Sequence, residues 1–365
     1  MFGFLLVLLA FPAALWFLHI EDGLLYGEER TNPPENRTWW NGQVQASISS
    51  RFEKTFVGKS AAVKTNNQLL YSTLGVSNSK EVLAGKNGEF FHKGFFRKQS
   101  QNQRWKTELP NTFKNLEIIS DYLDSKGKQL WIVLAPEKAS YMPNELPWYV
   151  SKKAVENRPY LNFAEMLKNT RLRYTDLSEF SRRPDAEARG RVFPKAGMHW
   201  SDLEAAMGFK KWIEELNEET GWQLPETTIE RVESTSDPLK QELDLWELSH
   251  LWLLPDLEPA PIPIIKDTQP AAVRVLGVGD SFYFTWEALG LVEQTFEKSE
   301  YWFYNQELMN RQGSREFMEE FEVLEKLEEY DLIVLMAHEG NILGIPFGFD
   351  IVVKQELIKR ERKKQ

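Results

Sequence analysis

Residues 271–284 read AAVRVLGVGDSFYF, and their order of chemistry decides the fold. The first nine are almost continuously apolar, end in Gly279, and lead through Asp280 and Ser281 into a stretch of helical character. An uninterrupted apolar strand, rather than an alternating one, is buried on both faces, and a strand that turns directly into a helix is the repeating unit of a parallel sheet. Working outward, the same pairing recurs. Residues 116–127, LEIISDYLDSKG, read as a helix closed by Gly127, followed by the strand QLWIVLAP stopped at Pro136. YLNFAEMLKN precedes LRYTDL, a helix runs from Ser201 to Leu216, and FMEEFEVLEKLEEY leads into DLIVLMA. The pattern predicts an α/β fold with a doubly wound, mostly parallel sheet and helices on both faces. No internal repeat is visible. The proline-rich segment 253–270 reads as a surface connection within the same domain.

Before this body lies a different kind of sequence. Residues 1–20 carry no formally charged side chain and would extend about 30 Å as a helix, the thickness of a hydrocarbon core. No Lys or Arg precedes the run, and Ala13 and Ala14 sit beside Pro12 inside it, so it is read as a membrane anchor or uncleaved signal rather than a cleaved leader. A buried N-terminal helix is the alternative. Glu21 and Asp22 immediately after it are compatible with an exported body. Residues 21–38, with Pro33 and Pro34 consecutive, read as a tether, and residues 39–365 as one folded domain. That domain opens with one or two amphipathic helices between Trp39 and Leu74, then a hairpin, AGKNGEFF, turning at Asn87 and Gly88.

Composition narrows the chemistry. The 365 residues are 42% hydrophobic and 13% aromatic, which fits a globular core, and the net charge of -10 argues against a nucleic-acid partner. With no cysteine and only five scattered histidines, neither a thiolate nucleophile nor a metal site is expected. Reactive groups in such sheets gather at the carboxyl ends of strands, where Ser281 stands. A serine there exposes its hydroxyl, and helix-start N–H groups can hold an oxyanion; Gly-Asp-Ser is equally ordinary turn and cap chemistry. The hydroxyl needs a base. His19, His92 and His250 lie in the apolar run, a basic aromatic loop and an apolar stretch, leaving His338 after DLIVLMA and His199 in GMHWSDLEAA, which has the more specific context.

The pairing of MHW before a helix with a later GDSF resembles the SGNH-hydrolase-like polysaccharide O-acetyltransferases of the AlgJ and AlgX (DHHW) type. The stretch from Trp39 to Tyr71, AGKNGEFF, VLAPEKASYMPNELP and LIVLMAHEGNILGIPFGF are similar to that family in the same order, so the resemblance spans about Trp39 to Phe349. It implies an acetyltransferase at the periplasmic face of the inner membrane or the cell surface, acting on polysaccharide hydroxyls in an alginate-like system. A membrane-bound O-acyltransferase partner would supply acetyl, with no other cofactor. By the resemblance Ser281 is the nucleophile and His199 the base; Asp280, Asn305, Trp200 and Glu339 are, apart from the resemblance, candidate supporting or oxyanion residues. The chain has no visible extra carbohydrate-binding module, which makes it resemble AlgJ more than AlgX.

One feature departs from the family: its DxHW motif carries an aspartate two residues before the histidine, where this chain has Gly197. Three readings stay open. Another oxygen, from Glu339, Asp202 or the backbone, orients His199; or the protein is a scaffold binding glycan or the acyltransferase partner; or His199 is simply a residue at a helix start. An acetylesterase would use the same nucleophile with water as acceptor. Asn305 after YWFY and Asn341 after DLIVLMA are candidate oxyanion donors at strand ends, or turn residues. The basic tail 354–365 reads as a solvated helix end or a contact to anionic lipid or polymer.

Overall fold

The computed structural model describes residue 25 and residues 58–99, 104–151, 153–156, 158–185, 190–237, 242–317 and 322–364. The apolar run 1–20, most of the tether and residues 39–57 lie outside them. Among the described residues no helix is long and apolar enough to cross a membrane.

The strands are β1 (Val82–Ala84), β2 (Phe90–His92), β3 (Gln129–Ala135), β4 (Arg173–Asp176), β5 (Ile229–Thr235), β6 (Ala260–Ile265), β7 (Ala271–Gly279), β8 (Phe296–Phe303), β9 (Glu307–Met309), β10 (Arg315–Phe317) and β11 (Leu332–His338). Seven of them form one sheet in the order β10-β9-β8-β7-β11-β3-β4. From β8 to β4 all neighbours are parallel, and β9 and β10 extend the β8 edge antiparallel.

The apolar runs are continuous because the sheet is covered twice. Alternate residues of one strand enter opposite cores: Leu130, Ile132 and Leu134 of β3 face one cluster, Trp131, Val133 and Ala135 the other. β11 divides likewise, with Ile333, Leu335 and Ala337 on the first side and Leu332, Val334 and Met336 on the second. The first core takes residues from the helices Arg104–Asp124, Pro159–Lys168, Val323–Glu328 and Phe349–Lys364. The second takes residues from Asp202–Thr220, Ser281–Ala288 and Leu291–Thr295. This is the doubly wound α/β sheet that the strand and helix pattern predicts.

β1 and β2 form the expected antiparallel hairpin, with Asn87 at φ 53° and Gly88 at φ 79°. Both central residues occupy the left-handed region, as a two-residue turn between twisted strands requires. Three expectations differ from the structure. Part of the proline-rich segment is strand: β6 pairs antiparallel with β5 in a separate two-stranded ribbon, an edge position where proline's missing N–H costs no ladder bond. Of the helix expected from Phe317, the described residues hold Val323–Glu328, and Phe317 itself ends β10. The helix Lys59–Leu74 buries Ser60 and Asn67 while Leu69 and Leu74 stand exposed, so it docks through polar contacts such as Asn67 Nδ2 to the Ser249 carbonyl at 3.0 Å and through Tyr71, whose ring stacks on Phe90 at 5.5 Å, rather than through a continuous apolar stripe.

Candidate active site

The carboxyl ends of β7, β11 and β3, adjacent in the sheet, carry Asp280–Ser281, His338 and Glu137. Ser281 is the first residue of the helix Ser281–Ala288, and Asp280 is its N-cap, accepting from the Phe282 N–H at 3.2 Å. An aspartate cap of this kind is worth about 1 kcal/mol to the helix and fixes where the chain turns.

His199 reaches Ser281 from 82 positions away in the chain, with Nε2 to Oγ at 2.7 Å. Two devices bring it there. Ser201 caps the helix Asp202–Thr220 by accepting from the Glu204 N–H, so the residues just before it form a fixed turn. The helices that follow the two residues then lock through indole rings. Trp212 and Trp286 stack at 5.0 Å with 4° between planes, Trp200 lies 5.9 Å from Trp286 and 5.5 Å from Phe282, and Trp286 Nε1 donates to the Ala205 carbonyl at 2.9 Å. Trp200 is thus a buried packing residue that holds the histidine's loop against the serine's helix.

The other ring nitrogen decides the question raised by Gly197. His199 Nδ1 lies 2.8 Å from Asp244 Oδ2, and Asp244 Oδ1 accepts from the Met198 N–H at 2.9 Å. Asp244 is the first residue of the short helix Asp244–Ser249, where an acidic side chain complements the helix dipole. The next two N–H groups, of Leu245 and Trp246, both donate to the Ala196 carbonyl at 3.0 and 3.1 Å. The helix start is therefore strapped to the 196–199 loop by backbone and side chain together. Leu245 packs with Val82, Ala84, Phe90 and Ala196 beneath the hairpin. From the other side the loop is gripped by Lys138, fully buried, whose Nζ donates to the carbonyls of Pro194, Lys195 and Gly197 and pairs with Glu89 at 2.8 Å. Burial pulls the Lys138 ammonium below its ordinary value, against the opposing pull of Glu89.

Neither carboxylate expected to orient His199 does so. Glu339 is buried, and its two oxygens are taken by Arg158, Arg182, Ser140 and Ser178. It is an internal hub that ties helices and loops beside β4, and its charge is spent there. Asp202 lies in the first turn of its helix, the position that complements the dipole. Asp280 is fully buried. Besides capping, its Oδ2 accepts from the His338 N–H at 3.0 Å, His338 Nδ1 at 2.6 Å and Asn341 Nδ2 at 3.0 Å. Burial works against its charge, but His338 and these donors outweigh it and hold the carboxyl below its usual value. Asn341 also reaches the Tyr304 hydroxyl at 3.3 Å, so it braces Asp280 rather than facing the serine as an oxyanion donor. Asn305 follows β8 at φ 56°, next to Tyr304, whose N–H donates to the Gly279 carbonyl; its amide donates to the Phe347 carbonyl at 3.4 Å.

Asp244 was beyond the reach of sequence reasoning. It stands among Glu242, Asp244 and Glu247 in a segment with no motif, and acidic residues at a helix start are commonplace. Among the described residues no group of His, Cys, Asp and Glu is arranged to hold a metal ion. A serine hydroxyl bonded to an imidazole whose far nitrogen meets a carboxylate can pass its proton to the ring and attack a carbonyl carbon.

The sequence model of a family described as an SGNH hydrolase-like domain, acetyltransferase AlgX, matches residues 82–272. No curated protein matches the chain. Among solved structures, the O-acetyltransferase domain of Pseudomonas putida AlgJ is similar over 72% of this chain and 92% of its own, at 16% identity and a TM-score of 0.47. Bacillus cereus PatB1 with a sulfonyl adduct is similar over 66% of this chain and 92% of its own, at 13% identity and a TM-score of 0.47. Pseudomonas aeruginosa AlgX is similar over 76% and 65%, at 12% identity and a TM-score of 0.41.

Proposed function

The chain belongs to the family of SGNH hydrolase-like acetyltransferase domains of the AlgX type, and from that premise we propose that it moves acetyl groups onto hydroxyls of an exported or cell-surface polysaccharide. The observation that carries the catalytic part is the unbroken line Ser281 Oγ, His199 Nε2, His199 Nδ1, Asp244 Oδ2, with contacts of 2.7 and 2.8 Å.

In this reading His199 takes the Ser281 proton as Oγ bonds to the acetyl carbonyl carbon of a donor ester. Asp244 accepts from Nδ1–H, which fixes the tautomer that leaves Nε2 free to receive the proton and stabilises the resulting imidazolium. The tetrahedral oxyanion meets the Ser281 backbone N–H at the helix start. The second hydrogen of the Asn305 amide is its further donor in this proposal. Collapse expels the donor's oxygen, which takes the proton from His199 and leaves acetyl-Ser281. A sugar hydroxyl then gives its proton to His199, its oxygen attacks the acetyl carbon, and the product ester departs as Ser281 regains its proton. Water in place of the sugar would make the same site an esterase.

The donor, in this proposal, is presented by a membrane-bound O-acyltransferase, and the apolar N-terminal run anchors the catalytic body beside it on the periplasmic face or cell surface. An alginate-like acetylation system is the context the family suggests. The complete proton path argues for turnover over a scaffold role. Full-length protein mixed with an activated acetyl ester is expected to release the alcohol with a burst, and Ser281→Ala to release none above background. Adding acetyl-free oligosaccharide is expected to divert acetyl onto sugar, read by mass. Equal release by wild type and Ser281→Ala overturns the reading.

A further inference from the structure

A second histidine sits on the far side of the nucleophile's helix start. The His338 ring stacks on Phe282 at 4.7 Å with 13° between planes, and Phe282 in turn lies 5.1 Å from the His199 ring. His338 Nδ1 is 2.6 Å from Asp280 Oδ2 and Nε2 is 3.2 Å from Glu137 Oε2. A neutral imidazole has one N–H and can satisfy one of these acceptors; two carboxylates on two ring nitrogens call for the doubly protonated ring. We propose that His338 is a positioning residue for the Ser281–His199 pair, a charged clamp that joins the ends of β7, β11 and β3 and holds the serine's turn and the histidine's loop in register.

Both halves of that claim follow from the bonds. Toward the serine, the clamp fixes Asp280, whose other oxygen caps the helix that Ser281 begins. Toward the histidine, it fixes Glu137, whose side chain accepts from the Ala139 N–H to cap the turn Lys138–Tyr141. Lys138 in that turn grips the carbonyls of the loop that presents His199. Loss of the second ring proton releases one carboxylate, and with it one of the two supports.

The surroundings favour the charged ring. Asp280 faces it from the end of β7 and Glu137 from beyond β3, while Asn341 and Glu339 lie on its own following turn. Glu339 is already neutralised by Arg158 and Arg182. Tyr304, from beyond β8, reaches the cluster through Asn341 and is itself pushed up to about 12 by burial and the Asp280 charge. Burial works against protonation of His338, but Asp280 and then Glu137 outweigh it and raise the ring to about 9. Gly340 shows how closely the clamp is built: a Cβ there would lie 2.7 Å from His338 Nε2 and 3.0 Å from Glu137 Oε2. Gly340→Ala therefore disturbs the Glu137 half of the clamp without removing a charged residue.

The inference rests on Ser281 being the nucleophile, so its test combines one measurement that needs turnover with two that do not. Full-length wild-type protein is expected to lose kcat/KM for an activated acetyl ester on the alkaline side with a midpoint near pH 9. His338→Gln is expected to lack that limb and to show kcat lowered about tenfold or more at neutral pH with KM little changed. Gly340→Ala is expected to move the limb down by about one pH unit. The rate of Ser281 modification by a sulfonyl fluoride is expected to follow the same three profiles. NMR of isotope-labelled histidine, with the His338 signal identified by its absence in His338→Gln, is expected to show a ring that stays doubly protonated at pH 8. A ring that titrates below pH 7, or an alkaline limb unmoved in both variants, overturns the clamp. Should wild type modify with the sulfonyl fluoride yet transfer no acetyl, the proposed function fails while the clamp is still decided by the other two measurements.

Discussion

Asp244 stands 45 positions after His199 in the chain, and its Oδ2 lies 2.8 Å from the ring's Nδ1. The carboxylate that the family's motif would place two residues before the histidine arrives here from the start of a separate helix, and the position it vacates, Gly197, serves instead as a carbonyl held by Lys138. Asp244→Asn keeps the shape and an oxygen for the Met198 N–H but loses the charge that fixes the tautomer. Acetyl-ester turnover is expected to fall about 10³- to 10⁴-fold with KM nearly unchanged, as measured by steady-state kinetics. A loss smaller than tenfold means another group orients the ring.

Lys138 and Glu89 form a buried pair beneath the loop that carries His199. Lys138→Met leaves Glu89 and the carbonyls of Pro194 and Gly197 without the ammonium that meets them, while the Lys195 carbonyl keeps the Phe90 N–H at 2.9 Å. The expected cost is about 3–5 kcal/mol, visible as a lower urea midpoint. Restoring the partner balance with Glu89→Gln in the same chain is expected to recover part of it.

Glu339 separates structural from catalytic acids. Glu339→Gln removes the charge that neutralises Arg158 and Arg182, so stability is expected to drop by a few kcal/mol, about 2–4. The acid limb of the pH–rate profile is expected to keep its position, since Glu339 does not touch His199. Thermal unfolding and the profile of the same preparation check the two halves.

His338 also ties stability to pH. Its folded value, about 9, lies above the ordinary 6.5, so its contribution is fully present below about pH 6.5 and is lost as pH rises through about 9. Asp280 runs the other way: its folded value is depressed, so its contribution is present above the ordinary 3.8 and is lost as pH falls through the lowered value. Wild type is expected to lose up to about 1.4 kcal/mol per pH unit inside the alkaline window, and His338→Gln to show a flatter curve there, by denaturant titration at several pH values.

The sheet was legible because both of its faces are covered, which makes β3, β7 and β11 read as unbroken apolar runs whose ends are marked by Pro136, Gly279 and the polar HEGN. Ser281 and His199 were legible because one begins a helix and the other lies in the turn just before one, each in a short, recognisable context. Asp244 was not: a residue chosen by tertiary docking leaves no period or spacing behind, and its helix is too short to announce itself. Glu339 was misread for the converse reason. Sequence places it at a strand end near the site but cannot show that two arginines from other segments have already claimed it. Strand β6 was hidden by its prolines, which only an edge ribbon tolerates.

A relay assembled from three distant pieces of chain has no chemistry in any one of them. The hydroxyl, the ring and the carboxylate become a working set only after the indole stack has joined two helices and the hairpin has seated a third. If the proposed reaction holds, a chain in which either docking is unmade presents Ser281 without its base or without the acid that orients that base.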